Sequence, residues 1–171
     1  MRVTPYPLSA DDTNPVVQAV IARRGGELTD LDRALLISLP YADGWNTFIG
    51  KVRTDMKVPA LYRELAMCGV AVVNGASYEF EQHGPLYIKA GGTPEKLAAV
   101  QKIMSGIPTI FPPGETAILA LTVAMSRDVQ VDDKTFAAAR AAVADERELV
   151  EIIGVIAAYN MVSRFLVALK I

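Results

Sequence analysis

The chain carries one histidine, His83, and it lies four residues beyond Glu79 in the stretch Tyr78-Glu79-Phe80-Glu81-Gln82-His83. Residues i and i+4 share one face of a helix, so a carboxylate and an imidazole can meet there. Histidine is the side chain that titrates near neutral pH without help, which makes such a pair a minimal device for moving protons. A third ionisable group joins the pattern. Glu64 precedes the turn signal Asn74-Gly75 by about three helical turns of ~3.6 residues each, and His83 follows that signal by about two. An antiparallel return through Asn74-Gly75 brings Glu64 close to the level of His83. Two carboxylates and an imidazole between two helices suit general acid/base chemistry. The competing reading is plain: an exposed Glu–His pair is common and adds only a few tenths of a kcal/mol, and Glu64 has Arg63 and Arg53 nearby for a surface ion pair.

The elements that must hold these residues are helices. Thr13-Asn14-Pro15 offers a cap followed by proline at the first helical position, and Gly25-Gly26 closes that short helix. Thr29 caps the next segment, with Asp30 and Asp32 in its first turn, Leu31, Ala34, Leu35 and Ser38 inward, and Pro40 at its end. Trp45, Phe48, Ile49 and Val52 recur at helical spacing. Pro59 restarts a helix through Leu61, Leu65, Cys68 and Val72. The segment with Glu79 and His83 follows, broken in pattern by Gly84-Pro85, where proline removes a backbone donor and favours a kink. Thr93-Pro94-Glu95 opens another helix, with Leu97, Val100, Ile103 and Met104 inward. Residues 107–114 read as a proline-rich loop, and helices are predicted over Glu115–Arg127, Asp133–Val143 and Glu146–Leu169. The alternation of Val129 and Val131 is too short to make a strand. The fold class is therefore all-α, a helical bundle with antiparallel neighbours, in one domain over residues 13–171 after a tail of residues 1–12.

Arg63-Glu64-Leu65 and Arg147-Glu148-Leu149 each open a long apolar helix, as a duplicated helix pair would leave behind. Helices rich in Ala, Val and Leu also match one another by composition alone.

Tyr78-Glu79-Phe80-Glu81-Gln82-His83, with Glu64 one helix earlier, resembles the carboxymuconolactone decarboxylase and alkylhydroperoxidase D-like superfamily. The run from Glu151-Ile152-Ile153-Gly154 to Tyr159-Asn160-Met161-Val162-Ser163-Arg164 is similar to the C-terminal helix of many members. The peroxidase branch of that superfamily carries a glutamate, a CxxC pair and a histidine. Glu64 matches the glutamate and His83 the histidine, while Ala76 and Glu79 occupy the two cysteine positions. Thiol-based peroxide reduction needs a reactive thiolate and a resolving partner, and neither residue supplies one. Cys68, the one cysteine, reads as a small buried hydrophobe. The resemblance therefore implies the decarboxylase-like branch: an all-α fold and a lyase or isomerase acting on a small cyclic acid or lactone, with no metal and no organic cofactor. In that reading His83, Glu79 and Glu64 are catalytic. Tyr78 and Trp45 are candidates to line a substrate pocket. Arg164 is a candidate to hold a substrate carboxylate, against the alternative of a structural salt bridge.

Composition narrows the partners. The 171 residues are 51% hydrophobic and 21% charged, with net charge −2. No basic cluster marks a nucleic-acid or anionic membrane surface. One histidine among carboxylates is a poor zinc site, and Gly91-Gly92 follows a helix rather than opening one, so it is no phosphate loop. A lone thiol, an N-terminus without a secretory core, and apolar runs too short to span a bilayer point to a soluble cytoplasmic protein. The mean hydropathy of +0.27 is high for one small core, which leads us to expect a homo-oligomer; the family resemblance implies a trimer or hexamer. The alternatives are a non-catalytic helical oligomer that binds a small hydrophobic ligand or partner, and a weak peroxidase without CxxC that works through Cys68 and an external thiol.

Overall fold

The computed structural model describes residues 1–9 and 11–171 as nine α-helices, and no strand occurs among the described residues. The chain divides into two compact units: residues 1–55 with 168–171, and residues 56–167.

The first unit holds α1 (Pro15–Arg24), α2 (Asp30–Leu35) and α3 (Leu39–Thr54). Asn14 caps α1 through its side chain and Gly25 closes it in the left-handed region, as the spacing predicts. Thr29 and Asp32 form a reciprocal capping box on α2. Asp32 is fully buried and takes Arg23 at 2.9 Å and Arg24 at 2.7 Å from α1. Burial pushes its carboxyl up, but Thr29 and Arg24 outweigh that and hold it below the usual range. Three expectations fail here. Pro40 sits in the first turn of α3 rather than ending α2, a position where its missing N–H costs nothing. Ser38 is exposed, because α2 stops at Leu35. Phe48 is half exposed, while Ala42, Trp45, Ile49 and Val52 form the buried stripe.

The second unit holds α4 (Ala60–Asn74), α5 (Ser77–Lys89), α6 (Pro94–Val100), α7 (Pro113–Val123), α8 (Asp133–Ala142) and most of α9 (Glu146–Leu169). Gly75, with φ of 68°, ends α4 in the left-handed region and sends the chain straight back into α5. The α5 helix continues through Pro85. A β-carbon on Gly69 would sit 3.0 Å from the Thr122 methyl, so glycine lets α4 and α7 pack closely. Leu65, Cys68, Tyr87, Val100, Ile103, Phe111 and Leu119 form one buried core cluster. Met104 is exposed, because α6 ends at Val100 and a short 3₁₀ turn over Ile103–Ser105 follows. A π-helical segment over Ala124–Asp128 extends α7.

The bounds of α9 match the sequence reading residue for residue. At 24 residues it is long and apolar enough, by length and composition, to cross a membrane, although the apolar run read from sequence is shorter. Leu149, Ile152, Val155, Ile156, Ala158, Tyr159, Asn160, Val162, Ser163 and Leu166 are buried along it. That inward stripe makes it a core helix of the second unit. The two Arg-Glu-Leu openings are used differently: Glu64 is buried inside α4, whereas Glu148 accepts from the Ala144 N–H at 3.0 Å near the surface, closing the start of α9.

Candidate acid/base site

Hairpin geometry decides what meets His83. Because α5 returns antiparallel from Gly75, Glu64 on α4 lies beside His83 on α5, and His83 Nδ1 is 2.7 Å from Glu64 Oε2. Both residues are buried, with 6% of His83 and 8% of Glu64 exposed. The surface ion pair of Glu64 with an arginine is overturned: its partner is the imidazole. When Nδ1 carries the proton and donates to the Glu64 carboxylate, the tautomer is fixed and Nε2 keeps its lone pair.

Glu79 does not hydrogen-bond to His83. Its two oxygens each lie 3.0 Å from Ser163 Oγ on α9. Glu79 is 2% exposed and has no cationic partner among the described residues. Burial therefore pushes its carboxyl up to about 8, against a smaller lowering by the Ser163 hydroxyl. The shared face at i,i+4 spacing is real, but each side chain finds its own neighbour across a helix interface. Sequence reasoning missed Ser163. It is 84 residues away on a helix whose rotation no local pattern fixes, and the one available signal was the C-terminal run that already contained it.

Tyr159, also on α9, stands edge-on against His83, with ring centroids 4.9 Å apart at 88°. Two α9 residues thus fix the imidazole and the second carboxyl. Cys68, one turn beyond Glu64, is fully buried. Burial raises its thiol first, and Glu64 and Glu79 raise it further, opposite to what a nucleophilic thiolate requires.

The other candidates lie elsewhere. Tyr78 is half-buried on α5. Trp45 belongs to the first unit, where it is buried and edge-on to Tyr41 at 5.8 Å. Arg164 donates to Asn160, to the backbone oxygen at 2.9 Å and to Oδ1 at 2.6 Å, so neither a salt bridge nor a free carboxylate clamp describes it. Asn160 is a satisfied hub that also accepts from Asn74 and donates to Ser126 and the Ile156 carbonyl. A cavity of about 590 Å³ opens between α4, α5 and α6, lined by Ala71, Val72, Ala76, Phe80 and Leu97 among others. It includes none of Glu64, Glu79 or His83. No cluster of three metal-ligating side chains occurs among the described residues.

Residues 40–110, which contain Glu64, Glu79 and His83, match the model of the Carboxymuconolactone decarboxylase family. No curated protein matches the sequence. Among solved structures, an uncharacterized peroxidase-related protein from Silicibacter sp. TM1040 is 15% identical with a TM-score of 0.76, over 99% of this chain and 92% of its own. The debrominase Bmp8, solved as a cysteine-to-alanine variant in complex with 2,3,4-tribromopyrrole, is 17% identical with a TM-score of 0.77, over 99% and 91%. At these identities the two structures establish the fold. The likeness to the Carboxymuconolactone decarboxylase family thus covers residues 40–110, the part of the chain that holds the Glu64–His83 contact.

Proposed function

We propose that this protein is a cofactor-independent acid/base enzyme that decarboxylates or isomerises a small cyclic acid or lactone. The observation that carries the reading is the 2.7 Å contact between His83 Nδ1 and Glu64 in a buried setting. A carboxylate on one ring nitrogen orients the imidazole and stabilises its charged form, leaving Nε2 to exchange protons with a substrate. In an isomerisation, Nε2 removes a proton from carbon next to a carbonyl, the C–H electron pair passes into the enolate, and the imidazolium returns the proton to a different carbon. In a decarboxylation, Nε2 takes up the proton of the substrate's carboxyl group, the C–CO₂ bond breaks, its electron pair passes into the adjacent carbonyl, CO₂ leaves, and the imidazolium returns the proton to the carbon. Glu79, held neutral near physiological pH by burial, is a second group that can donate a hydrogen bond. The bound tribromopyrrole of the debrominase supports a small ring as the substrate class here. A thiol route has no support in Ala76, Glu79 or the buried Cys68.

The test is turnover of a panel of small lactones and cyclic acids, followed by CO₂ release and by ultraviolet absorbance. His83→Gln should abolish turnover with helical circular dichroism unchanged, and retained turnover would remove the mechanism.

A second reading has its own observation. The apolar cavity between α4, α5 and α6 excludes the dyad, which suits a module that holds a small hydrophobic ligand without reacting it. Ala76→Trp would fill that cavity. If it blocks ligand uptake while His83→Gln changes nothing, the binding reading replaces the catalytic one. For either reading a homo-oligomer is part of the proposal, supported by exposed Val150 and Val167 on α9. A monomeric mass in sedimentation at micromolar concentration contradicts it.

A further inference from the structure

Glu79 and Ser163 form an unusual pair. A buried carboxyl normally has a cationic partner or several N–H donors, because an unpaired charge in an apolar interior is costly. Among the described residues Glu79 has neither: its side chain accepts from a serine hydroxyl 3.0 Å from both oxygens. The neutral acid is the form such a setting favours. A neutral pair carries two O–H hydrogens, one on the carboxyl and one on the serine. A single Oγ facing both oxygens of one carboxyl can close only bent bonds, and bent bonds are weak. A straight bond from one of these hydrogens to a negatively charged oxygen would be roughly twice as strong as a neutral one.

We infer that Glu79 and Ser163 together act as a neutral hydrogen-bond donor to a carbonyl or enolate oxygen of the substrate, which makes the substrate an acid or lactone whose reacting carbon adjoins a carbonyl. The inference rests on the acid/base reading above and assigns the oxyanion element of that same site. Glu79 is one helical turn from His83 on α5, so in this reading the substrate's α-carbon faces the imidazole and its oxygen faces the acid. The donor gives up no proton. As the enolate forms, charge moves onto the substrate oxygen and the O–H hydrogen of the pair swings from its bent bond to meet it. Glu79 is the catalytic residue of this element and Ser163 a positioning residue. Ser163 on α9 bonds Glu79, and Cys68 on α4 lies within electrostatic reach of both Glu79 and Glu64, while His83 on the same helix as Glu79 meets Glu64 and the Tyr159 ring. Glu64 is engaged with His83, and none of these groups is a cation paired with Glu79, so the donor's state follows its own carboxyl.

The probe is 2,4-dinitrophenolate, an oxyanion mimic ionised across the working range, titrated against the full chain between about pH 6 and pH 10. The wild type should bind it at neutral pH. Affinity should fall about tenfold per pH unit above about 8, as Glu79 ionises. Glu79→Gln keeps a neutral N–H donor and should bind without that loss. Ser163→Ala removes the group that favours the ionised carboxyl, so the midpoint of the loss should move upward, which a merely structural serine would not produce. His83→Gln should still bind, so this result stands or falls separately from turnover. An affinity that shows no loss near pH 8 in the wild type, or that shows the same loss in Glu79→Gln, overturns the inference.

Discussion

Two buried glutamates in the second unit make an instructive contrast. Glu115 on α7 is 5% exposed, with the Lys96 ammonium 2.7 Å from one oxygen and the Tyr87 hydroxyl donating to the other at 3.3 Å. Burial and the Glu115 charge raise the Tyr87 phenol, which keeps it a donor. Glu79 is buried just as deeply, but among the described residues its hydrogen-bond partner is a serine and no cation faces it. The difference teaches that burial of a carboxyl does not mark a functional site. What sets Glu79 apart is burial without a compensating cation among the described residues, on the helix whose histidine already has its own carboxylate. The Lys96–Glu115–Tyr87 cluster ties three helices together, and the Glu64–His83 and Glu79–Ser163 pairs are the ones that the proposed function uses.

This contrast can be broken by substitution, beginning with the largest effect. His83→Gln should lower turnover by about 10²–10⁴-fold, the usual worth of a positioned acid or base, with a change in melting temperature of only a few degrees. Glu115→Ala should do the reverse. It strands the Lys96 ammonium and should cost about 3–5 kcal/mol in urea unfolding, while turnover per folded molecule stays at the wild-type level. Equal losses of turnover in both variants would erase the distinction between the clusters.

Glu79→Gln sharpens the comparison through pH. The Glu79 carboxyl is raised from its ordinary 4.5 to about 8, chiefly by burial. The folded state therefore holds a proton that the unfolded state releases between those values, and unfolding free energy should fall as pH rises from about 4.5 to about 8. The stability linked to this group is complete below its ordinary value and gone above the raised one. Urea titrations across that range should show a slope in the wild type, on the order of a few kcal/mol in total, and its flattening in Glu79→Gln. Arg164→Ala should have the smallest effect, about 0.5–1.5 kcal/mol for lost bonds to Asn160, with substrate KM unchanged. A large rise in KM would restore the carboxylate-clamp role read from the sequence.

Much of the scaffold was legible because helix punctuation is local chemistry. Asn14, Thr29 and Thr93 each accept a backbone N–H at the start of their helix, and Gly75 takes the left-handed turn. That turn makes α4 and α5 a hairpin, so counting helical turns from it sufficed to bring Glu64 to His83. The failures share another cause. Met104, Phe48 and Ser38 fit a helical period, but their helices end early or rotate so that they face outward. Glu79 and His83 share a face by spacing, yet α9 and α4 decide which neighbour each one meets. Ser163 and Tyr159 reach the site by the docking of α9, a contact between distant segments that periodicity does not encode. Residues 40–110 contain the dyad but not α9, so half of what shapes the site lies outside the matched region.

A single histidine makes the decisive measurement unusually clean. Long-range ¹⁵N NMR of the imidazole at alkaline pH contains signals from His83 alone. The account predicts one fixed tautomer, with a protonated Nδ1 bonded to Glu64 and a bare Nε2, and loss of that preference in Glu64→Gln. A spectrum showing the hydrogen on Nε2, or the rapidly averaged mixture of a ring in bulk water, would contradict it.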